Sequence, residues 1–154
     1  VVFEEEKPFH LGKIRIIKDM GRDVAIFTNG YPISRVLEAA GILEQRGIKP
    51  VVVEVHTLKP LDVESIVPIL KKTGAAVTVE DHNIIGGLGS AIAEVIAEQI
   101  PVPLVRVGLK DVFPESGEAE QLLDSYGLGI SDIVNAVESV LNKKGRRRRK
   151  DESR

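Results

Sequence analysis

Cysteine and tryptophan are absent from the 154 residues, and aromatic side chains make up only 4%. The first absence excludes disulfides, thiolate metal sites and a cysteine nucleophile. With few rings available, a core must come from valine, isoleucine, leucine and alanine within a hydrophobic share of 43%. That mix suits parallel strands buried under helices. Histidine is sparse too: His10, His56 and His82 lie far apart, without the close spacing that ligates a metal. No apolar run approaches the ~20 residues needed to cross a bilayer, and no secretory signal opens the chain. A cytoplasmic location and no membrane partner are the expectation.

The length suits one domain with a substantial core. The chain opens on V-V-F-E-E-E without a methionine, as a segment of a longer polypeptide would. Residues 1–12 are therefore read as a linker from an upstream domain, 13–143 as the folded domain and 144–154 as a basic disordered tail. Charge divides along the same line. Residues 143–154 carry eight Lys/Arg against Asp151 and Glu152, a net of +6, while the remainder holds 13 basic and 21 acidic residues, a net of -8. A block of like charge without apolar residues cannot bury itself. Lacking an aromatic or a folded basic face, it is not expected to bind nucleic acid.

Strand and helix patterns alternate through the body. Asp23 to Thr28 is a short apolar run, and Ile33, Val36, Leu37, Ala40 and Leu43 then recur at helical spacing. Pro50 to Val55 reads as a strand. A helix through Val63, Ile66, Val67 and Leu70 follows, with Asp62 as its N-cap and Pro68 set to kink it or shift its start. Ala75 to Val79 and Pro103 to Val107 are further strands flanking a helix with Ile92, Ala93, Val95 and Ile96 inward. Val112 to Gly117 reads as an irregular loop, followed by helices over Glu118 to Ser125 and over Ser131 to Leu141, the latter capped by Ser131. Lys13 to Lys18 alternates charge with apolar residues, as an exposed edge strand does. The pattern predicts an α/β, three-layer α/β/α fold with about five mostly parallel strands, the edge strand being the candidate for antiparallel pairing.

Val77 to Ser90 (V-T-V-E-D-H-N-I-I-G-G-L-G-S) is the candidate site, since it puts Glu80, Asp81 and His82 at the carboxyl end of a strand, where α/β folds place ligands. Gly86, Gly87 and Gly89 could let backbone N–H groups approach a phosphate at a helix N-terminus, but their spacing departs from the dinucleotide fingerprint. A tight turn and close helix packing explain them better. A carboxylate beside His82 could support acid–base chemistry. Yet adjacent strand residues point to opposite faces, and no nucleophile or metal spacing completes a mechanism. Glu80, Asp81, His82, Gly86, Gly87, Gly89, Ser90 and His56 are accordingly read as an interface or structural cluster. No residue is assigned a catalytic, cofactor-binding or metal-binding role. Phe113 to Gly117 lacks the G-x-S-x-G elbow and reads as a loop that orders against a neighbouring domain.

Several stretches together resemble one family. H-T-L-K-P-L-D at His56 to Asp62, V-E-D-H-N-I-I-G-G-L-G-S at Val79 to Ser90 and E-S-G-E-A-E-Q-L-L-D-S-Y-G-L at Glu115 to Leu128 are similar, in order and interval, to the carboxyl-terminal domain of transketolase. H-L-G-K-I-R-I-I-K-D at His10 to Asp19 resembles the lead-in to that domain. Deoxyxylulose-phosphate synthase and the β subunits of 2-oxo-acid dehydrogenases share the domain type, and E-D-H followed by G-G-L-G favours transketolase among them. The resemblance implies a parent transferase of the pentose phosphate pathway, moving a two-carbon ketol unit between sugar phosphates through a carbanion stabilised by thiamine diphosphate. It also implies that the cofactor and a divalent metal bind between pyrophosphate- and pyrimidine-binding domains, on the same chain or a separate subunit. This segment would bind neither, would be inactive alone, and would pack on those domains in a homodimer. A stand-alone module binding an anion or small molecule at Gly86 to Ser90 is the alternative of another class.

Overall fold

A computed structural model describes residues 8–112 and 115–152 of the chain. Its strands are β1 (Arg15–Asp19), β2 (Val24–Thr28), β3 (Pro50–Glu54), β4 (Ala76–Asn83) and β5 (Leu104–Leu109). Its helices are α1 (Ile33–Gln45), α2 (Val63–Thr73), α3 (Leu88–Gln99), α4 (Ala119–Ser125) and α5 (Ile130–Glu152). The strands form one sheet in the order β1-β3-β2-β4-β5. β1 pairs antiparallel with β3 at one edge, and the other pairings are parallel.

Alternation along each strand builds two cores. Val24, Ile26, Val52, Val77, Val79 and Val107 meet α1 and α5 on one face. Ala25, Phe27, Val51, Val53 and Ala76 meet α2 and α3 on the other. β2 and β3 are buried along their whole length, as expected of parallel strands covered on both faces. Chain connections leave β2 toward β3 and β4 toward β5, so the strand order reverses between β2 and β4. Ligands in such sheets bind outside the carboxyl ends of the strands at this position.

Four local expectations are refined or corrected. Asp62 occupies the N-cap of α2 without a side-chain capping bond; its carboxylate turns instead to the Ile14 N–H at 3.1 Å and to Lys13 Nζ at 3.2 Å, tying the start of β1 to α2. Ser131 does not cap the last helix, which begins at Ile130 with the Gly129 N–H donating to Asp132 Oδ2 at 3.0 Å. That helix does not stop at Leu141, nor does a tail begin at residue 144: α5 continues to Glu152. Lys144 Nζ donates to the Asp23 and Thr73 carbonyls at 2.8 and 2.6 Å, and Arg147 Nη1 donates to the Pro101 carbonyl at 2.6 Å. These bonds give a polar helix the fixed partners that its composition cannot supply. Pro68 does not shift the start of α2, which begins at Val63 directly after Asp62 and runs through the proline. The Glu64 carbonyl that loses its partner belongs to an exposed first-turn residue, where water can satisfy it.

Burial works against ionisation of Asp62, but hydrogen bonds from Ile14, Ser65 and Lys13 outweigh it and hold the carboxyl below its ordinary value. A depressed native pKa means stability that is fully present above the unfolded-state value of about 3.9 and lost as pH falls through the native one. Asp62→Asn is therefore expected to destabilise the domain at neutral pH and to flatten the fall in stability below about pH 4. Urea midpoints measured at several pH values check this; a parallel acid limb in the variant would contradict it.

Candidate functional site

β4 runs past Val79 and continues to Asn83, so Glu80, Asp81 and His82 lie on a strand rather than after one. Their side chains consequently diverge. Ala76, Thr78 and Glu80 face α3, whereas Val77, Val79 and Asp81 face the opposite layer. Glu80 is 1% exposed and lies beneath the first turn of α3. Its Oε2 accepts the Leu88 N–H at 2.7 Å and its Oε1 the Gly89 N–H at 2.8 Å. A carboxylate there satisfies two donors that a helix start leaves without partners, and it opposes the positive end of the helix dipole.

The glycines around it are matters of space. A Cβ on Gly87 would lie 2.0 Å from Glu80 Oε2, and one on Gly89 would lie 2.8 Å from Arg106 Cδ and 2.9 Å from Thr78 Oγ1. Gly108, on the neighbouring strand, would bring a Cβ within 2.9 Å of the His82 carbonyl and 3.2 Å of Glu80 Cγ. Gly86 takes a left-handed φ of 81° with open space around it, and its N–H donates to Ser90 Oγ at 2.9 Å. Ser90 Oγ in turn donates to the Ile84 carbonyl at 3.1 Å, which also accepts Arg106 Nη1 at 2.8 Å.

Asp81 opens instead onto a cleft of about 310 Å³ lined by Tyr31, Leu109, Leu122, Leu123, Tyr126 and Leu128. The Tyr31 hydroxyl donates to Glu120, and the Tyr126 hydroxyl accepts the Glu115 N–H at 3.0 Å. His82 is exposed, with Nδ1 2.8 Å from the Asn83 carbonyl oxygen. His56 follows β3, which β2 separates from β4. Its Nδ1 lies 2.8 Å from Thr57 Oγ1, and its ring is 4.5 Å from that of Phe9.

Arg35 is a residue that sequence patterning misses. It is 7% exposed on the inner face of α1. It reaches Asp124 at 2.5 Å, the Glu120 carbonyl at 3.1 Å, the Glu120 carboxylate and the Leu128 carbonyl at 3.3 Å. Burial opposes its charge, yet Asp124 and Glu120 raise its pKa on balance. Hydrogen bonds from Tyr31 and Arg35 hold the Glu120 carboxyl below its ordinary range, and the same bond to Glu120 raises the Tyr31 hydroxyl. A charged residue within an otherwise apolar helix stripe is the signal that could have marked Arg35. Gly108 and Arg106 offer no comparable signal, because their roles depend on which strand lies beside β4.

Chemically, the arrangement braces a helix. Glu80, Asp81 and His82 do not converge, and no group of three or more His, Asp or Glu among the described residues could hold a metal. A diphosphate does not fit the α3 N-terminus either, because Glu80 already occupies the Leu88 and Gly89 N–H groups. No described helix is long and apolar enough to cross a membrane.

Comparison with known proteins agrees with the resemblance. The family profile "Transketolase, C-terminal domain" matches residues 12–133. The "6-deoxy-6-sulfo-D-fructose transketolase subunit SqwH" of Clostridium sp. (strain MSTE9) is 43% identical over 140 residues, covering 91% of this chain and 43% of that protein. The 1-deoxy-D-xylulose-5-phosphate synthase of Caldanaerobacter subterraneus subsp. tengcongensis is 40% identical over 130 residues, covering 84% of this chain and 21% of the synthase. Among solved structures, a "Split gene transketolase, inactive beta4 tetramer" superposes with a TM-score of 0.86 at 44% identity, covering 94% of this chain and 47% of that one. The chain thus spans less than half the length of each of these proteins, and its three-layer α/β/α architecture and its sequence together show that it belongs to the transketolase C-terminal domain family.

Proposed function

We propose that this chain is the structural C-terminal portion of a transketolase that moves a two-carbon ketol unit between sugar phosphates. Thiamine diphosphate and a divalent metal would be held by pyrophosphate- and pyrimidine-binding domains on the same chain or on a partner subunit. The observation that carries the reading is the commitment of Glu80 to α3: the strand end where an α/β fold would place chemistry is spent on holding a helix. Exposed Phe9, Leu11 and Leu58 are suited to packing on the preceding domain, to which residues 1–12 lead. The assembled enzyme is a cytoplasmic homodimer of the pentose phosphate pathway in this reading, and the isolated chain is inactive. Similarity to the synthase favours a second parent, deoxyxylulose-phosphate synthase.

The test is reconstitution. The chain is assayed alone and after mixing with the separately produced upstream portion, with thiamine diphosphate and Mg²⁺ present. Ketol transfer is expected only in the mixture, and turnover by the chain alone would overturn the proposal. Offering pyruvate with glyceraldehyde 3-phosphate in place of a ketose donor separates the two parents.

A further inference from the structure

Residues 143–150 hold seven Lys/Arg, no acidic residue and no apolar side chain. In the structure they continue α5, which extends to Glu152. Composition read alone makes this stretch a solvated tail because it lacks a folded basic face; a helix supplies one. The helix is also fixed in place. Lys144 bonds to carbonyls just before β2 and at the end of α2, and Arg147 to one just before β5. The basic end therefore sits at the amino-terminal pole of the sheet, opposite Glu80 and the cleft beside Asp81. Beyond Arg147 the helix runs on for five residues, about 7 Å. Lys143 and Arg146 are exposed and hold no ion pair among the described residues. Position 150 falls on the same helical face by its spacing.

We propose that the basic end of α5 is an arm that binds nucleic acid through its phosphate backbone, without sequence preference. This goes beyond the proposed function and is independent of it. The composition argues against two other occupants. Without apolar residues the segment cannot lie in a membrane interface as an amphipathic helix, nor form the desolvated centre of a protein–protein interface. Arginine outnumbers lysine in residues 143–154, and its planar fork matches phosphate oxygens. The net charge of -8 on the rest of the chain repels nucleic acid and confines contact to the arm.

Fluorescence anisotropy of the intact chain with a labelled RNA duplex of arbitrary sequence tests the arm. Binding is expected at micromolar protein in low salt and should weaken about a hundredfold between ~50 and ~200 mM NaCl, as neutralising about four phosphates requires. Combining Lys143→Glu, Arg146→Glu and Lys150→Glu spares the anchors Lys144 and Arg147. It should cost more than about tenfold in affinity while circular dichroism and the unfolding midpoint stay unchanged. Ketol transfer by the reconstituted enzyme should also be unaffected. The proposal is overturned by no binding at ~100 μM protein, by salt-resistant binding, or by equal binding in the triple variant. It is equally overturned if the chain partitions onto phosphatidylserine vesicles without binding the duplex. The salt titration of the unaltered chain decides the matter even if the triple variant fails to fold.

Discussion

Glu80→Gln is expected to lower the stability of the domain by about 3 kcal/mol, the scale of a buried charge-assisted bond replaced by two opposed donors. An amide offers only one acceptor, so its NH₂ must face either the Leu88 or the Gly89 N–H with no room to turn away, because Glu80 is 1% exposed. The change also removes the negative charge opposing the start of α3. For a chain of this size the thermal midpoint should fall by about 10 °C. Urea unfolding followed by circular dichroism measures the change. A loss under about 0.5 kcal/mol would mean that the two bonds carry little, and that the site is free for another use.

Gly87→Ala should cost at least as much, for a steric reason. Its φ of -95° is open to any residue, so backbone strain is not the issue. The added methyl would lie 2.0 Å from Glu80 Oε2 and 2.9 Å from its Cδ, and relief requires moving the carboxylate off the helix or the helix off the sheet. Overpacking of this kind costs about 1–3 kcal/mol, and more where the neighbour is pinned. The two substitutions must then fail to add. In a Glu80→Ala background the obstructing carboxylate is gone, and Gly87→Ala should become about 2 kcal/mol cheaper. Strict additivity in that double-mutant cycle would show that the methyl is resisted elsewhere, with the Asn83 carbonyl at 3.1 Å the next candidate.

How much of this was legible beforehand depends on the range of each interaction. The alternation at Lys13 to Lys18 marked an edge strand, and β1 is the antiparallel edge. The apolar runs within Asp23 to Thr28 and Pro50 to Val55 marked strands, and burial on both faces explains why Val24 to Phe27 and Val51 to Val53 hold no polar residue. Glu80 resisted reading for the opposite reason. A glutamate five residues into a strand looks like the end of that strand unless α3 is known to return over β4 and place two N–H groups above it. Asp62 holds the N-cap position expected of it, but its carboxylate serves a donor 48 residues upstream, the Ile14 N–H, and not its own helix. The far end of α5 eluded composition because its helix is held by three carbonyls distant in sequence, before β2, at the end of α2 and before β5. Propensity counts none of them.

The bond from Glu80 to Leu88 spans eight residues, and this makes the carboxylate a tethered ligand. A short tether sets an effective concentration in the millimolar range or above, so the α3 N-terminus is filled at unit stoichiometry whatever the solution contains. Free phosphate or sugar phosphate would have to displace a permanently attached competitor that is already desolvated and aligned. A helix start wired in this way does not respond to free phosphate, and Glu80 is a constant strut between β4 and α3.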